Sequence, residues 1–475
     1  PEVRVIFGQN EHVCPWAVEN FEAEPARWVT SDQLPILHDN PKVPRVNEIP
    51  HSLHAKCPHY VDQQTGRTNV AGVVPCQYFQ QTYEAKRQRG IICATMSFYI
   101  FAKLFNKAYG RVAVLAIDEV HRLPDVIRYT LSYDVTDWHL TKAIQLLKRI
   151  GAPEQKSLGK FLRAMQEIAT VYKKKRKKPH EEYLLNDDEI RKLIRILDEI
   201  DPDVLDPERI EKAVAAGKLD PKKDWRAIKT IEVLARDIRR YLHSFEYALA
   251  EEDEQGNVTR RPLNYSCSYY VEELGEGQRV QHKLVIHCHY VAPLIRKRLL
   301  APTTVSFSAT IGRPDLFTFE SGINGPFFSA PSTFPIENRR IYLPADAEDL
   351  TRRGDPTGRK KARTLRLMAK GCHQLARQGI RSLVVVISNA ERSQFMRLAA
   401  EEGVEAITYG DGLLAKDAAL AFKNGTGDVL CGCTAHYGIG VDFPKGTAGV
   451  IWFLRPGFPN PLSAATKFEV ERYGS

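Results

Sequence analysis

The chain has 475 residues, enough for three or four domains at roughly 100–200 residues each. With 43% hydrophobic and 26% charged residues it is composed like an ordinary soluble globular protein. The net charge of +9 favours polyanionic partners, nucleic acid first, and no stretch approaches the ~20 unbroken apolar residues of a membrane span, so no membrane partner is expected.

In chain order, Val3-Arg4-Val5-Ile6-Phe7 predicts a short strand ending at Gly8. It carries no basic leader followed by a long apolar run, so no signal peptide is expected. Residues 9–76 are rich in Pro, His and Asn without sustained periodicity, as in a loop-rich module. Tyr78 to Arg89 reads as a helix, Ile91 to Thr95 as a strand and Ser97 to Ala108 as a helix. Val112 to Ile117 is a continuous apolar run of the kind found in strands buried on both faces of a parallel sheet. From about Asp137 to Glu252, Leu and Ile recur at helical spacing among charges, which predicts a helical insertion. Strand patterns return at Tyr265–Val271, Leu284–Tyr290 and Thr304–Ser308. A second α/β stretch comes next, with strands expected at Arg340–Leu343, Ser382–Ile387, Asp428–Cys433 and Gly449–Phe453, and helices at Ala362–Gln378 and Ala390–Glu402.

Nine cysteines in this length are no disulfide scaffold and suit a reducing cytoplasm. Cys93, Cys267, Cys288, Cys372, Cys431 and Cys433 lie in apolar or strand-like runs and read as core thiols. Cys14, Cys57 and Cys76 each adjoin a proline in a loop-like context.

The strongest chemical signal is Asp118-Glu119-Val120-His121, directly after an apolar strand. Ligands of open parallel sheets bind beyond the carboxyl ends of strands. An Asp placed there supplies the hard oxygen that Mg²⁺ prefers, and the adjacent Glu orients or deprotonates an attacking water. His121 is placed to sense a γ-phosphate. An acidic turn after a strand is the plain alternative. Ser308-Ala309-Thr310 comes after a second buried strand, where small hydroxyl residues relay nucleotide state by switching hydrogen-bond partners. The six-residue run Lys173, Lys174, Lys175, Arg176, Lys177 and Lys178 is either a DNA contact or a solvated loop.

Together these residues resemble a known family. Asp118-Glu119-Val120-His121 resembles the DEAH motif of superfamily 2 helicases, and Ser308-Ala309-Thr310-Ile311 their motif III. Gly438-Ile439-Gly440-Val441-Asp442-Phe443-Pro444 is similar to motif V of the DinG/XPD branch, with Gly438, Gly440 and Asp442 at its core positions. Leu454 to Pro461 is similar to the Pro-Phe-rich stretch next to it, Ser382 to Ser388 to the motif IV strand, and Glu337 to Tyr342 to the entry into the second motor domain.

The resemblance implies an α/β fold with two RecA-like parallel-sheet motor domains. Residues 1–8, 89–130 and 266–318 would form the first motor and 319–475 the second. Residues 9–88 would form an inserted iron–sulfur-like module and 131–265 an inserted helical arch. It implies an ATP- and Mg²⁺-dependent 5′→3′ DNA helicase acting on single-stranded and duplex DNA in the cytoplasm of a bacterium. Ser388, Tyr409 and Thr434 would be strand contacts by position. The incomplete cysteine set suits the CRISPR-associated subgroup of the branch, with a CRISPR ribonucleoprotein as partner.

Three departures qualify it. Only Cys14, Cys57 and Cys76 of a four-cysteine cluster set are present, with His54 as the candidate fourth ligand. Cys₃His ligation of an iron–sulfur cluster, a Zn²⁺ site and a vestigial metal-free module are the alternatives, and the last is preferred because incomplete ligand sets bind poorly. No Gly-x-x-x-x-Gly-Lys-Ser/Thr loop occurs in the sequence, nor an Arg-bearing motif VI. Both are expected just outside the chain ends. A catalytically inactive, helicase-derived DNA-binding scaffold is the alternative. Ile439 stands where the branch usually carries Glu.

Overall fold

The computed structural model describes the chain apart from residues 1–2, 21–27, 32–33, 38–44, 51–56, 88–89, 107–111, 176–180, 201–206, 221, 235–250, 256, 261–264, 274–279, 310, 332–339, 352–353, 411–412, 439–442, 444–446, 458–462 and 474–475. It forms two compact units, Pro1–Phe328 with Asn460–Ser475, and Ser329–Pro459. The class is α/β with parallel sheets. No helix among the described residues is long and apolar enough to cross a membrane.

The first unit holds two parallel strand pairs, Val3–Ile6 beside Ile91–Ala94 and Val114–Ile117 beside Thr303–Ser306. Sequence predicts a strand from Val112 buried on both faces. The strand instead begins at Val114, which is 61% exposed; Leu115 is half-buried and only Ile117 is buried. The physical reason lies in what covers it. Ile100, Val120, Leu123, Ile127, Ile295 and Leu299 pack on the face of Ile117. Val3, Val5, Ile91 and Val305 are exposed like Val114. An unbroken apolar run reports the capacity for two-sided burial, not the presence of a second cover.

The first two strands expected after Asn264 are longer than predicted and antiparallel. Tyr265–Glu273 and Val280–Cys288 pair along their length, flanked by Tyr183–Leu184 and Tyr133–Thr136. Their inward residues Cys267, Tyr269, Leu284 and Ile286 share one core with Leu140, Leu147, Phe161, Met165, Ile190 and Leu193. They therefore build onto the helices Asp137–Ile150, Gln155–Lys175 and Asp187–Asp198 rather than onto the parallel strands with which the sequence reading grouped them. Alternating apolar residues specify a strand but not its partner. Helix ends obey local rules: Asn186 and Glu189 form a reciprocal capping box, and Gly151, at φ +75°, closes the helix that begins at Asp137.

Within 9–88, the described residues Cys14, Ala17, Val46, Ile49, Cys76 and Tyr78 share a core with Trp225 from the helical region. The predicted helix from Tyr78 runs Gln77–Arg87, and Tyr78 is buried in this core.

The second unit is a parallel four-stranded sheet in the order Ala406–Ile407, Val429–Cys433, Ser382–Val386, Val450–Phe453. All five residues of the strand from Ser382 are buried. Val384 and Val386 face the helices Arg359–Ala376 and Asn389–Glu401, and Leu383 and Val385 face Ala415–Lys423. This is the two-sided cover that period-two alternation allows. The strand expected at Arg340–Leu343 does not form. Ile341, Tyr342 and Leu343 are exposed, and no ladder engages them among the described residues. Apolar character without a neighbouring edge is not enough for a strand.

Candidate functional site

The strands Val114–Ile117 and Thr303–Ser306 run parallel in register, Ile117 opposite Ser306. The ladder continues past their ends. Phe307 N donates to Ile117 O at 3.0 Å and Val120 N to Phe307 O at 3.2 Å. These two bonds bring Ser308 beside Glu119, although 189 residues separate them.

At this junction the Ser308 hydroxyl donates to Glu119 Oε2 at 3.0 Å and lies 2.7 Å from His121 Nδ1. A hydroxyl has one proton. Since that proton goes to the carboxylate, His121 Nδ1–H donates to Ser308 Oγ. His121 Nδ1 is also 3.3 Å from Glu119 Oε2. Serine and glutamate meet the same ring nitrogen, so the three are not a nucleophilic relay, which needs base and orienter on opposite nitrogens. The arrangement is a hydroxyl bridge between a carboxylate and an imidazole.

Glu119 sits at φ +49°, the one left-handed non-glycine among the described residues. Asp118 Oδ1 accepts from Glu119 N at 2.8 Å and steadies the turn. Buried Val120, Leu123 and Ile127 anchor the chain on its far side. Backbone held in this region costs roughly 1–3 kcal/mol and persists where packing over-determines it. Asp118 remains exposed, which leaves hard carboxylate oxygens available to a Mg²⁺ that keeps its waters. Ala309 is exposed beside Ser308, and Thr310 lies outside the described residues.

In the second unit, the three expected strand contacts sit beyond the carboxyl ends of adjacent parallel strands. Thr434 Oγ1 donates to Val386 O at 3.2 Å. Tyr409 donates its phenol proton to Asn389 Oδ1 at 3.1 Å and accepts from Cys433 N at 3.4 Å. The Arg392 guanidinium lies 4.3 Å over the Tyr409 ring, and His436 meets it edge-on at 4.5 Å. Burial pushes the Tyr409 phenol up to about 12, so it stays a donor at neutral pH. Ser388 caps the helix Asn389–Glu401, its Oγ accepting from Glu391 N at 3.2 Å. Gly438 admits no side chain, because a Cβ there would lie 2.6 Å from Thr434 O. Gly440 and Asp442 lie outside the described residues.

Lys173, Lys174 and Lys175 form the exposed last turn of the helix from Gln155, and Lys175 Nζ lies 5.3 Å over the Tyr183 ring. Arg176, Lys177 and Lys178 lie outside the described residues, as does His54. Cys14, Cys57 and Cys76 are buried. Burial pushes Cys14 up to about 12, Cys76 up to about 11 and Cys57 upward, as enclosure does for any thiol. Among the described residues no set of three or more His, Cys, Asp or Glu is arranged to hold a metal.

Two features gave no warning at the level of motifs. Glu391, 1% exposed, accepts from both Ile387 N and Ser388 N and pairs with Arg455 at 2.8 Å. The Ser388-to-Glu391 spacing was the available signal for its capping role. The helix Ala464–Tyr473 belongs to the first unit, with Glu182 accepting from Ala464 N at 2.8 Å.

No family model matches the chain, and no curated protein matches it. Among solved structures it is similar to an XPD helicase at 14% identity, covering 84% of this chain and 64% of that one with a TM-score of 0.48. It is similar to an apo XPD structure at 14% identity, covering 80% and 68% at a TM-score of 0.49. It is also similar to Xpd4 of S. tokodaii at 12% identity, covering 81% and 70% at a TM-score of 0.42. The chain thus spans less than two thirds of the length of the first of these.

Proposed function

We propose that this chain is part of an ATP-dependent DNA helicase or translocase of the DinG/XPD type, and that Asp118 and Glu119 form the acidic side of its Mg-ATP site. The observation that carries the reading is the Ser308 bridge between Glu119 and His121 across two parallel strand ends. It joins residues that motif spacing alone had assigned to hydrolysis and to coupling. Asp118 would hold Mg²⁺ through its exposed carboxylate, and bound Mg²⁺ would offset phosphate charge. Glu119 would orient water, with its carboxylate position fixed by the Ser308 hydroxyl. A change of partner at Ser308 would move both Glu119 and His121. Ser388, Tyr409, Thr434 and Lys173 to Lys175 would grip a strand through its phosphates without reading sequence. The 5′→3′ direction is what the motif resemblance implies.

The test is ATP hydrolysis by the complete protein with and without single-stranded DNA. The rate should rise with DNA and fall by at least about 100-fold in Glu119→Gln, within the range for loss of a general base. An unchanged rate in that variant removes the assignment. A second reading is a non-catalytic DNA-binding scaffold derived from such a helicase. That reading expects DNA binding by the complete wild-type protein with no hydrolysis at all.

A further inference from the structure

The helix Arg359–Ala376 carries Arg359, Lys360, Lys361, Arg363, Arg366 and Lys370, and no acidic residue. Arg377 caps its end. Its apolar side is spent on the core through Leu365, Met368, Ala369 and Cys372. The outward side presents Arg359, Arg363, Arg366, Lys370 and Arg377, spaced by three, four or seven residues along one helical face, all exposed. Eighteen residues make this ridge about 27 Å long.

The placement of these charges opposes local stability. Three cations fill the first turn, where the helix macrodipole is already positive and acidic residues are favoured. Asp355 offsets part of this by accepting from Lys360 N at 3.2 Å and Lys361 N at 2.8 Å. Arg363 pairs with Glu348, and Arg366 with Glu401 and Glu402. Among the described residues no ion pair engages Arg359, Lys370 or Arg377. A face of five exposed cations, four of them arginine and three without an ion pair among the described residues, matches phosphate oxygens arrayed on a line.

We propose that this ridge binds the phosphate backbone of nucleic acid, duplex above single strand, as a contact surface separate from the strand-end loops of Ser388, Tyr409 and Thr434. A duplex offers about eight phosphates per strand over the ridge's length. A membrane surface fits poorly, because interfacial helices need a free apolar face and this one's is buried in the core. The surface is independent of nucleotide hydrolysis.

The test is binding of a short labelled DNA duplex to the full chain across a salt series. The triple variant Arg359→Gln, Lys370→Gln and Arg377→Gln should reduce the slope of log affinity against log salt by about 2–3 and weaken low-salt binding roughly tenfold or more. Its circular dichroism and melting should match wild type. Arg366→Gln, which removes a paired cation, should change the slope by less than one contact. Glu119→Gln should keep wild-type duplex binding, so failure of the ATPase assignment leaves this result readable. A folded triple variant with unchanged slope and affinity overturns the proposal. So does a variant that keeps duplex binding but loses binding to a polyglutamate peptide or to anionic vesicles.

Discussion

Glu391 shows how one side chain ties three elements. Its carboxylate accepts from the backbone where the strand from Ser382 ends, caps the helix Asn389–Glu401, and fixes Arg455 beyond the strand Val450–Phe453. Burial raises its pKa, but hydrogen bonds from Arg455 and Ile387 N outweigh that, and the net direction is below the ordinary carboxylate value. A carboxyl depressed in the fold contributes stability that is present above its unfolded pKa and lost as pH falls through its folded pKa. Glu391→Gln should therefore cost about 2–3 kcal/mol near neutral pH, less than a fully buried pair because Arg455 reaches solvent. Denaturant melts of both proteins should converge once pH has fallen below the depressed folded pKa of Glu391, itself under the ordinary carboxylate value. A gap that persists there would show that shape rather than charge is at stake. The cap was legible in the Ser388-to-Glu391 spacing. The Arg455 pairing was not, since it spans 64 residues and depends on which strands become neighbours. The left-handed Glu119 was equally hidden, because a strained backbone leaves no mark in residue type.

Among elements, the strands Ser382–Val386 and Val429–Cys433 were the most legible, because burial on both sheet faces writes itself as unbroken apolar runs. The hairpin at Tyr265 and Val280 was legible as strands but not as a partner of the helical region. The module at residues 9–88 was the least legible, having neither period. Its core uses Cys14 and Cys76 as small apolar side chains, while Cys57 lies outside that cluster. From this, purified protein should be colourless, and Cys57→Ser should fold with a melting temperature near wild type. Cys14→Ser, which places a hydroxyl in the apolar cluster, should cost roughly 1–3 kcal/mol. Absorbance in the visible range, or loss of folding in Cys57→Ser, would restore a metal to this module.

The chain as a whole leaves the first unit after Phe328 and returns to it at Asn460, so the second unit is an insertion. The return is held by the helix Ala464–Tyr473. Phe468 stacks on His289 at 4.4 Å, Glu469 meets His289 Nδ1 at 3.2 Å, and Lys467 pairs with Glu181 at 2.8 Å. His289 is only 3% exposed and its other nitrogen meets Ser266 Oγ at 2.7 Å, so the helix closes over the end of the antiparallel hairpin. Nothing in sequence order suggests that the last residues stabilise strands nearly two hundred positions earlier. Phe468→Ala should therefore lower hydrogen-exchange protection in Tyr265–Glu273 and around Tyr183, at a cost of roughly 1–3 kcal/mol to the first unit. Protection of the strand Ser382–Val386 should stay unchanged, although it lies far closer in sequence to the substitution. Loss of protection in that strand instead, with the hairpin untouched, would mean that the tail belongs to the second unit and that the insertion topology is wrong.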